Sequence, residues 1–133
     1  MAAKSYVLDN LLLNAVLRNV AYVQPVAVFA ALLTTVPVLP DAVGLVEVPT
    51  GGGSLYVRKA ITFGAAANGV VLNTAPVAFD VAGTAWGLIR GVAIYSLVAA
   101  GDLLYYGTLT VNKTVGIGDT VTFAVSALGV AEQ

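Results

Sequence analysis

Hydrophobic and polar positions change period once along this chain, near Val26. Before that point, Leu8, Leu11, Leu12, Ala15 and Val16 recur at helical spacing, while Asn10, Asn14 and Arg18 fall four apart on the opposite side. Ser5 stands where a hydroxyl can cap the first turn. The pattern predicts an amphipathic helix over 5–20, about three to four turns long. Leu13 and Leu17 widen its apolar arc beyond what one core face needs, so contact with a neighbouring molecule is expected there.

After Val26 the pattern turns to short apolar runs rich in Val and broken by Gly, Pro, Asn and Asp, which is strand chemistry. Val26–Leu33 (VAVFAALL) is apolar on both faces, as in a central buried strand or a short buried helix; Pro25 before it and Thr34–Pro40 after it favour the strand. In Leu55–Phe63, alternation predicts Leu55, Val57, Lys59, Ile61 and Phe63 on the inner face, with Lys59 near a sheet edge. Further runs are Leu45–Val48, Gly69–Asn73, Ala75–Phe79, Trp86–Tyr95, Asp102–Thr110 and Asp119–Val130. About eight strands at roughly ten-residue spacing are the signature of an antiparallel sandwich or barrel.

Composition changes the picture in one respect. Hydrophobic residues make up 59 % of the 133 positions and charged residues 10 %, against about 25 % charged in an ordinary soluble domain. Six basic and seven acidic side chains are too few to cover a free monomer, so apolar surface is expected to meet other protein. The net charge of −1 has no basic cluster behind it, which argues against nucleic acid as a partner. The longest uncharged window, Asn19–Pro40, is broken by Pro25 and Pro37. Its uninterrupted part, Val26–Val36, is well short of the roughly 20 residues of a spanning helix, and the opening MAAKSYVLDN lacks the pattern of a secretory signal. The expectation is a protein without membrane insertion.

Candidate chemistry is sparse. With no Cys and no His, thiolate and imidazole metal sites, iron–sulfur clusters, cysteine nucleophiles and His-based triads are excluded. Thr50–Ser54 (TGGGS) has no following Lys and no helix, so it reads as a mobile loop and not as a phosphate cradle, and Gly116–Asp119 (GIGD) reads as a hairpin turn. The carboxylates Asp9, Asp41, Glu47, Asp80, Asp102, Asp119 and Glu132 are scattered, which favours turn capping over acid–base work. No metal and no cofactor is expected. Trp86, Tyr95, Tyr105 and Tyr106 are either core rings or a stacking platform for sugar. Tyr105 and Tyr106 must point to opposite faces of a strand, which makes one of them an interface candidate. Arg58 and Lys59 likewise diverge and mark edge protection or an ion pair between subunits.

The order of LDNLLLNAVLRNVAYVQPVAVFAALLTT, GLVEVPTGGGSLYVRKAITFGAAANGVVLNTAPVAF, WGLIRGVAIY and GDLLYYGTLTVNKTVGIGDTVTFAVSAL resembles a family of tailed-bacteriophage virion proteins, many labelled as phage structural or tail-fibre proteins. The resemblance spans nearly the whole chain and departs in the loop Thr35–Leu45, which is more apolar here than the family's polar turn. It implies a small β-sandwich without catalytic residues, and related sandwiches serve as head decoration (cement) subunits, often as homotrimers.

The resulting expectation is a single domain over 1–133, mainly β, with an N-terminal amphipathic helix (5–20) and an antiparallel β-sandwich (26–131). Its expected role is that of a non-enzymatic virion protein that oligomerises, as a trimer, and binds the major capsid protein. Leu13, Leu17, Val36, Val38, Leu39 and Tyr106 are the expected contacts. The alternative is a tail-associated adsorption module that binds a host glycan through Tyr105 or Tyr106.

Overall fold

The computed structural model of the chain describes residues 3–37 and 44–131. It is mainly β, with antiparallel sheets and one N-terminal helix. In chain order the elements are β1 (Ala3–Lys4), α1 (Tyr6–Leu17), β2 (Val28–Thr35), β3 (Val46–Glu47), β4 (Lys59–Ile61), β5 (Val70–Leu72), β6 (Val77–Ala78), β7 (Gly87–Tyr95), β8 (Leu103–Val115), β9 (Thr122–Phe123) and β10 (Gly129–Ala131). A six-stranded sheet runs β1-β8-β7-β2-β3, with β4 pairing the other half of β2. Two small sheets, β5 with β10 and β6 with β9, complete the fold.

The doubly apolar run behaves as its sequence predicts. In β2, Ala30 and Leu32 enter the main core beside Ile89, Ile94, Phe79 and Val121, while Ala31 and Leu33 enter a second core with Ala93 and Tyr106 on the other side of the sheet. The two small sheets close the first core through Val77, Phe123 and Leu128. The helix is shorter than predicted because Asn19 takes a left-handed φ of 55° and Val20 N–H bonds back to the Asn14 carbonyl. Ser5 caps α1 by accepting from Leu8 N–H at 3.2 Å. Its own N–H and hydroxyl donate to the Leu104 and Leu103 carbonyls, which pins the helix start to β8.

Two expectations fail for local reasons. Leu55 is 60 % exposed and Tyr56 1 % exposed, the reverse of the predicted alternation. Leu55 has a φ of 61°, so the chain is not extended there and the side-chain phase turns over before β4 begins. The run Asp119–Val130 divides into β9 and β10, which pair with different partners. The TGGGS segment is anchored at its end, where the Ser54 carbonyl accepts from Gly83 N–H at 3.0 Å and from the Trp86 indole at 2.9 Å, while Gly51–Gly53 are exposed.

Polar bonding is concentrated in one knot. Glu47 on β3 accepts from Tyr56 Oη at 2.6 Å, and Arg58 grips both its oxygens, Nε to Oε2 at 2.9 Å and an Nη to Oε1 at 2.8 Å. The other Nη of Arg58 donates to the Leu97 and Ala100 carbonyls, and the guanidinium lies 3.6 Å over the Tyr95 ring. Tyr56 Oη also accepts from Leu32 N–H at 2.9 Å, so the knot reaches the central strand. Burial pushes the Tyr56 phenol far above its ordinary range, and the Glu47 carboxylate adds to the shift. Burial works against the Arg58 charge, but bonded Glu47 outweighs it and the guanidinium is held above its usual value. Burial and then Glu47 raise the Tyr95 phenol too, with Arg58 opposing.

Strands β7 and β8 change register twice. Ile94 faces Tyr105 whereas Tyr95 faces Leu103, leaving Leu104 as a bulge. Gly91 faces Thr108 whereas Ile89 faces Lys113, so the four residues Leu109–Asn112 stand opposite Arg90 alone. At this second irregularity the backbones come close: a Cβ on Gly91 would lie 2.5 Å from the Gly107 carbonyl oxygen and 2.3 Å from Val36 Cγ2.

Two outcomes follow for folding. Gly91→Ala cannot be accommodated without moving β8, and urea unfolding should show a loss of about 1–3 kcal/mol or more. Tyr56→Phe leaves Leu32 N–H without its acceptor and Glu47 one donor short, at a cost of about 1–3 kcal/mol. The pH sign is set by the raised phenol: below about pH 10 it is neutral in both states, and above that the unfolded chain ionises while the folded one does not. Stability of the natural chain should therefore fall as pH rises past that value, and Tyr56→Phe should make the fall shallower in urea titrations across the alkaline range.

Candidate interaction surface

Four of the scattered carboxylates are committed to a local bond, Asp102 is exposed, and Asp41 and Glu132 lie outside the described residues. Asp9 pairs with Lys4 at 3.4 Å, Asp80 with Lys59 at 2.8 Å, and Glu47 is held by Arg58 and Tyr56. Asp119 Oδ2 accepts from Gly116 N–H at 2.8 Å and closes the turn between β8 and β9. A carboxylate with three donors on it, such as Glu47, is a poor general base, because its lone pairs are already engaged. Among the described residues no three acidic side chains converge as metal ligands would. Arg58 and Lys59 each find an acidic partner within the chain, Glu47 and Asp80.

The aromatic residues are mostly interior. Trp86 is buried edge-on to Tyr56, with ring centroids 5.5 Å apart, and Tyr56 stacks on Phe79 at 6.1 Å. Tyr106 is 3 % exposed. It cannot be a surface contact, because the sheet is covered on both sides at that point: Tyr105 turns to the first core and Tyr106 to the second, against Ala31, Leu33 and Ala93. The rule of opposite faces holds, yet its corollary that one ring must be exposed fails, since it assumes a sheet with one wet side.

Tyr105 is half-buried and lines a crevice of about 230 Å³ between the main sheet and the β5–β10 sheet, with Phe63, Ile94, Leu104 and Val130. Tyr105 supplies the one polar side-chain atom in that lining. The volume is below the range of about 300–1,000 Å³ usual for ligand pockets. A sugar, whose hydroxyls need several fixed partners, finds little to hold it there.

Exposed apolar side chains are the prominent surface feature. Leu13 is 56 % and Leu17 74 % exposed on α1, and Val16, Val20 and Val23 are exposed as well. Val111 at the tip of the β8 irregularity and Ile117 in the following turn form further exposed knobs. Val36 is half-buried and packs inside its own chain against the second core. Val38 and Leu39 lie outside the described residues. Of the predicted contacts, Leu13 and Leu17 share a surface. Val16, Val20, Val23, Val111 and Ile117 were not singled out from sequence. Val16 looked like part of the inner stripe, and isolated valines in turns carry no periodic signal.

No helix among the described residues is long and apolar enough to cross a membrane. A search of curated proteins finds no match. A family model described as "Podophage GP4 fiber I protein gp80" matches residues 3–131, which takes in the helix, the main sheet and both small sheets. The fold without a convergent chemical site, the exposed apolar residues and this match over nearly the whole length lead to one assignment: the chain belongs to the podophage GP4 fiber I protein gp80 family, a family of phage virion structural proteins.

Proposed function

We propose that this chain is a non-enzymatic fibre subunit of a phage particle, working as a homo-oligomer, a trimer, whose task is to hold an assembly together. The observation that carries the reading is the combination of the fibre-family match with apolar side chains left on the surface of a folded chain. Thirteen charged residues offer little to keep such surfaces apart. Burial of apolar area at about 25 cal/mol per Å² supplies the driving force, less the cost of association. Many copies on one particle then act together, each contact modest alone.

Within a fibre, the chain's place is structural and not receptor-reading. Of the two rings that the adsorption reading offers, Tyr106 is inside the core, and Tyr105 is half-buried and lines crevices of about 230 and 280 Å³, both below the usual volume of a ligand pocket. A second reading, decoration of the head shell through the major capsid protein, draws on the same apolar surface. It is also favoured by the outer edge of β8 beyond Tyr106, which has no strand partner among the described residues and could pair with a strand of another protein.

Electron microscopy of virions carrying a labelled copy separates these readings. The fibre reading expects label at the appendages and absent from the head lattice; label distributed over the lattice overturns it in favour of decoration. Substitution Tyr105→Ala should leave binding to a panel of host-surface glycans unchanged; a glycan affinity that this change abolishes would contradict the structural role.

A further inference from the structure

Helix α1 has two apolar stripes, not one. Ser5, Leu8 and Leu12 face the sheet, with Ser5 and Leu8 fully buried. Tyr6, Asn10, Leu13 and Leu17 follow one another at spacings of four, three and four, all exposed. At 3.6 residues per turn they fall within about 60° of one another, about 150° round the helix from Leu8 and Leu12. That is the spacing of a coiled-coil seam, with Asn10 and Leu17 at one kind of core position and Tyr6 and Leu13 at the other.

The charges on and beside α1 are used within the chain. Asp9 pairs with Lys4, and Arg18 donates to the Asn14 side chain at 3.2 Å. The seam itself is neutral. Its one strongly polar member is Asn10, whose amide must find a partner if the seam is covered. A second copy in parallel sets amide against amide at the same height. An antiparallel copy centred on the seam sets Asn10 against Leu13 and leaves the amide short of a bond.

The surface area fits such an occupant. The chain exposes 7560 Å², whereas a compact monomer of 13.5 kDa exposes about 6,500 Å². The surplus of about 1,000 Å² is on the scale of the ~800 Å² that each partner gives to a standard interface.

Resting on the reading of the chain as a self-assembling fibre subunit, we infer that α1 is the axial contact of the assembly: copies of the chain pack their α1 helices in parallel through Tyr6, Asn10, Leu13 and Leu17. The sheets then hang outside this axis, and the helix joins each sheet to its neighbours.

The chain has no cysteine, so a single introduced thiol reports on neighbours. In the full chain, Leu17→Cys under a mild oxidant should yield disulfide-linked dimers on a non-reducing gel, because parallel seams bring position 17 next to its own copy. An antiparallel pair would separate the two positions by about 16 Å along the axis. Ile117→Cys, equally exposed but on the β8–β9 turn, should stay unlinked. The double variant Leu13→Asp, Leu17→Asp should weaken assembly at least ~100-fold in sedimentation with an unchanged far-ultraviolet spectrum, since neither side chain packs in the core. Absence of Leu17→Cys cross-links, or persistence of the assembly in the double variant, overturns the axial role of α1 while leaving self-assembly standing. A natural chain that sediments as a monomer at about 100 µM overturns both.

Discussion

Scarcity of charge is the constraint on which the rest of this structure depends. Nearly every ionic group among the described residues is engaged within the chain: Glu47 and Arg58 tie β3 to the segment before β4 and to the loop after β7, Lys59 and Asp80 join two further segments, and Asp119 closes a turn. The strongest of these bonds are short, charge-assisted and partly shielded from water, where such bonds are worth most. Ionic groups used this way hold irregular loops in place, a task that apolar packing performs poorly. They are then no longer free to keep the outside of the molecule apart from its neighbours.

A central strand buried on both faces follows from the same composition. With 59 % hydrophobic residues, one sheet face cannot hide enough of the chain, so β2 sends Ala30 and Leu32 to one core and Ala31 and Leu33 to another. The small sheets cover the first core. What remains uncovered includes the outer stripe of α1, other helix residues such as Val16, and side chains on loops and edges such as Leu55, Leu97, Val111 and Ile117. The fold thus buries a core on both faces of its main sheet and still leaves apolar side chains on the surface, which the proposed assembly would cover.

How much of this could be read in the sequence depended on whether the signal was periodic or local. The helix, the doubly buried β2 and the long strand β7 were legible because a whole run of residues agreed on one period. The reversal at Leu55–Tyr56 was not, since a single left-handed residue inverts a strand's faces without altering its composition. Nor was the burial of Tyr106, which depends on a second layer that β8 cannot announce by itself. The placement of Leu13 and Leu17 outside was legible for the opposite reason: their positions on the helix were surplus to the one stripe that a single core requires. Asn10, read from sequence as part of a polar face, takes a different meaning once the structure shows that the same face carries Tyr6, Leu13 and Leu17.

The central claim is that the surface left over by this folding is apolar and meets copies of itself. Sedimentation of the full natural chain across about 0.05 to about 1 M salt tests it most directly, because screening weakens ionic contacts and spares apolar ones. The account predicts an oligomer whose stability is unchanged or increased as salt rises. Dissociation with rising salt would place the contact among the few charged groups instead and contradict the account.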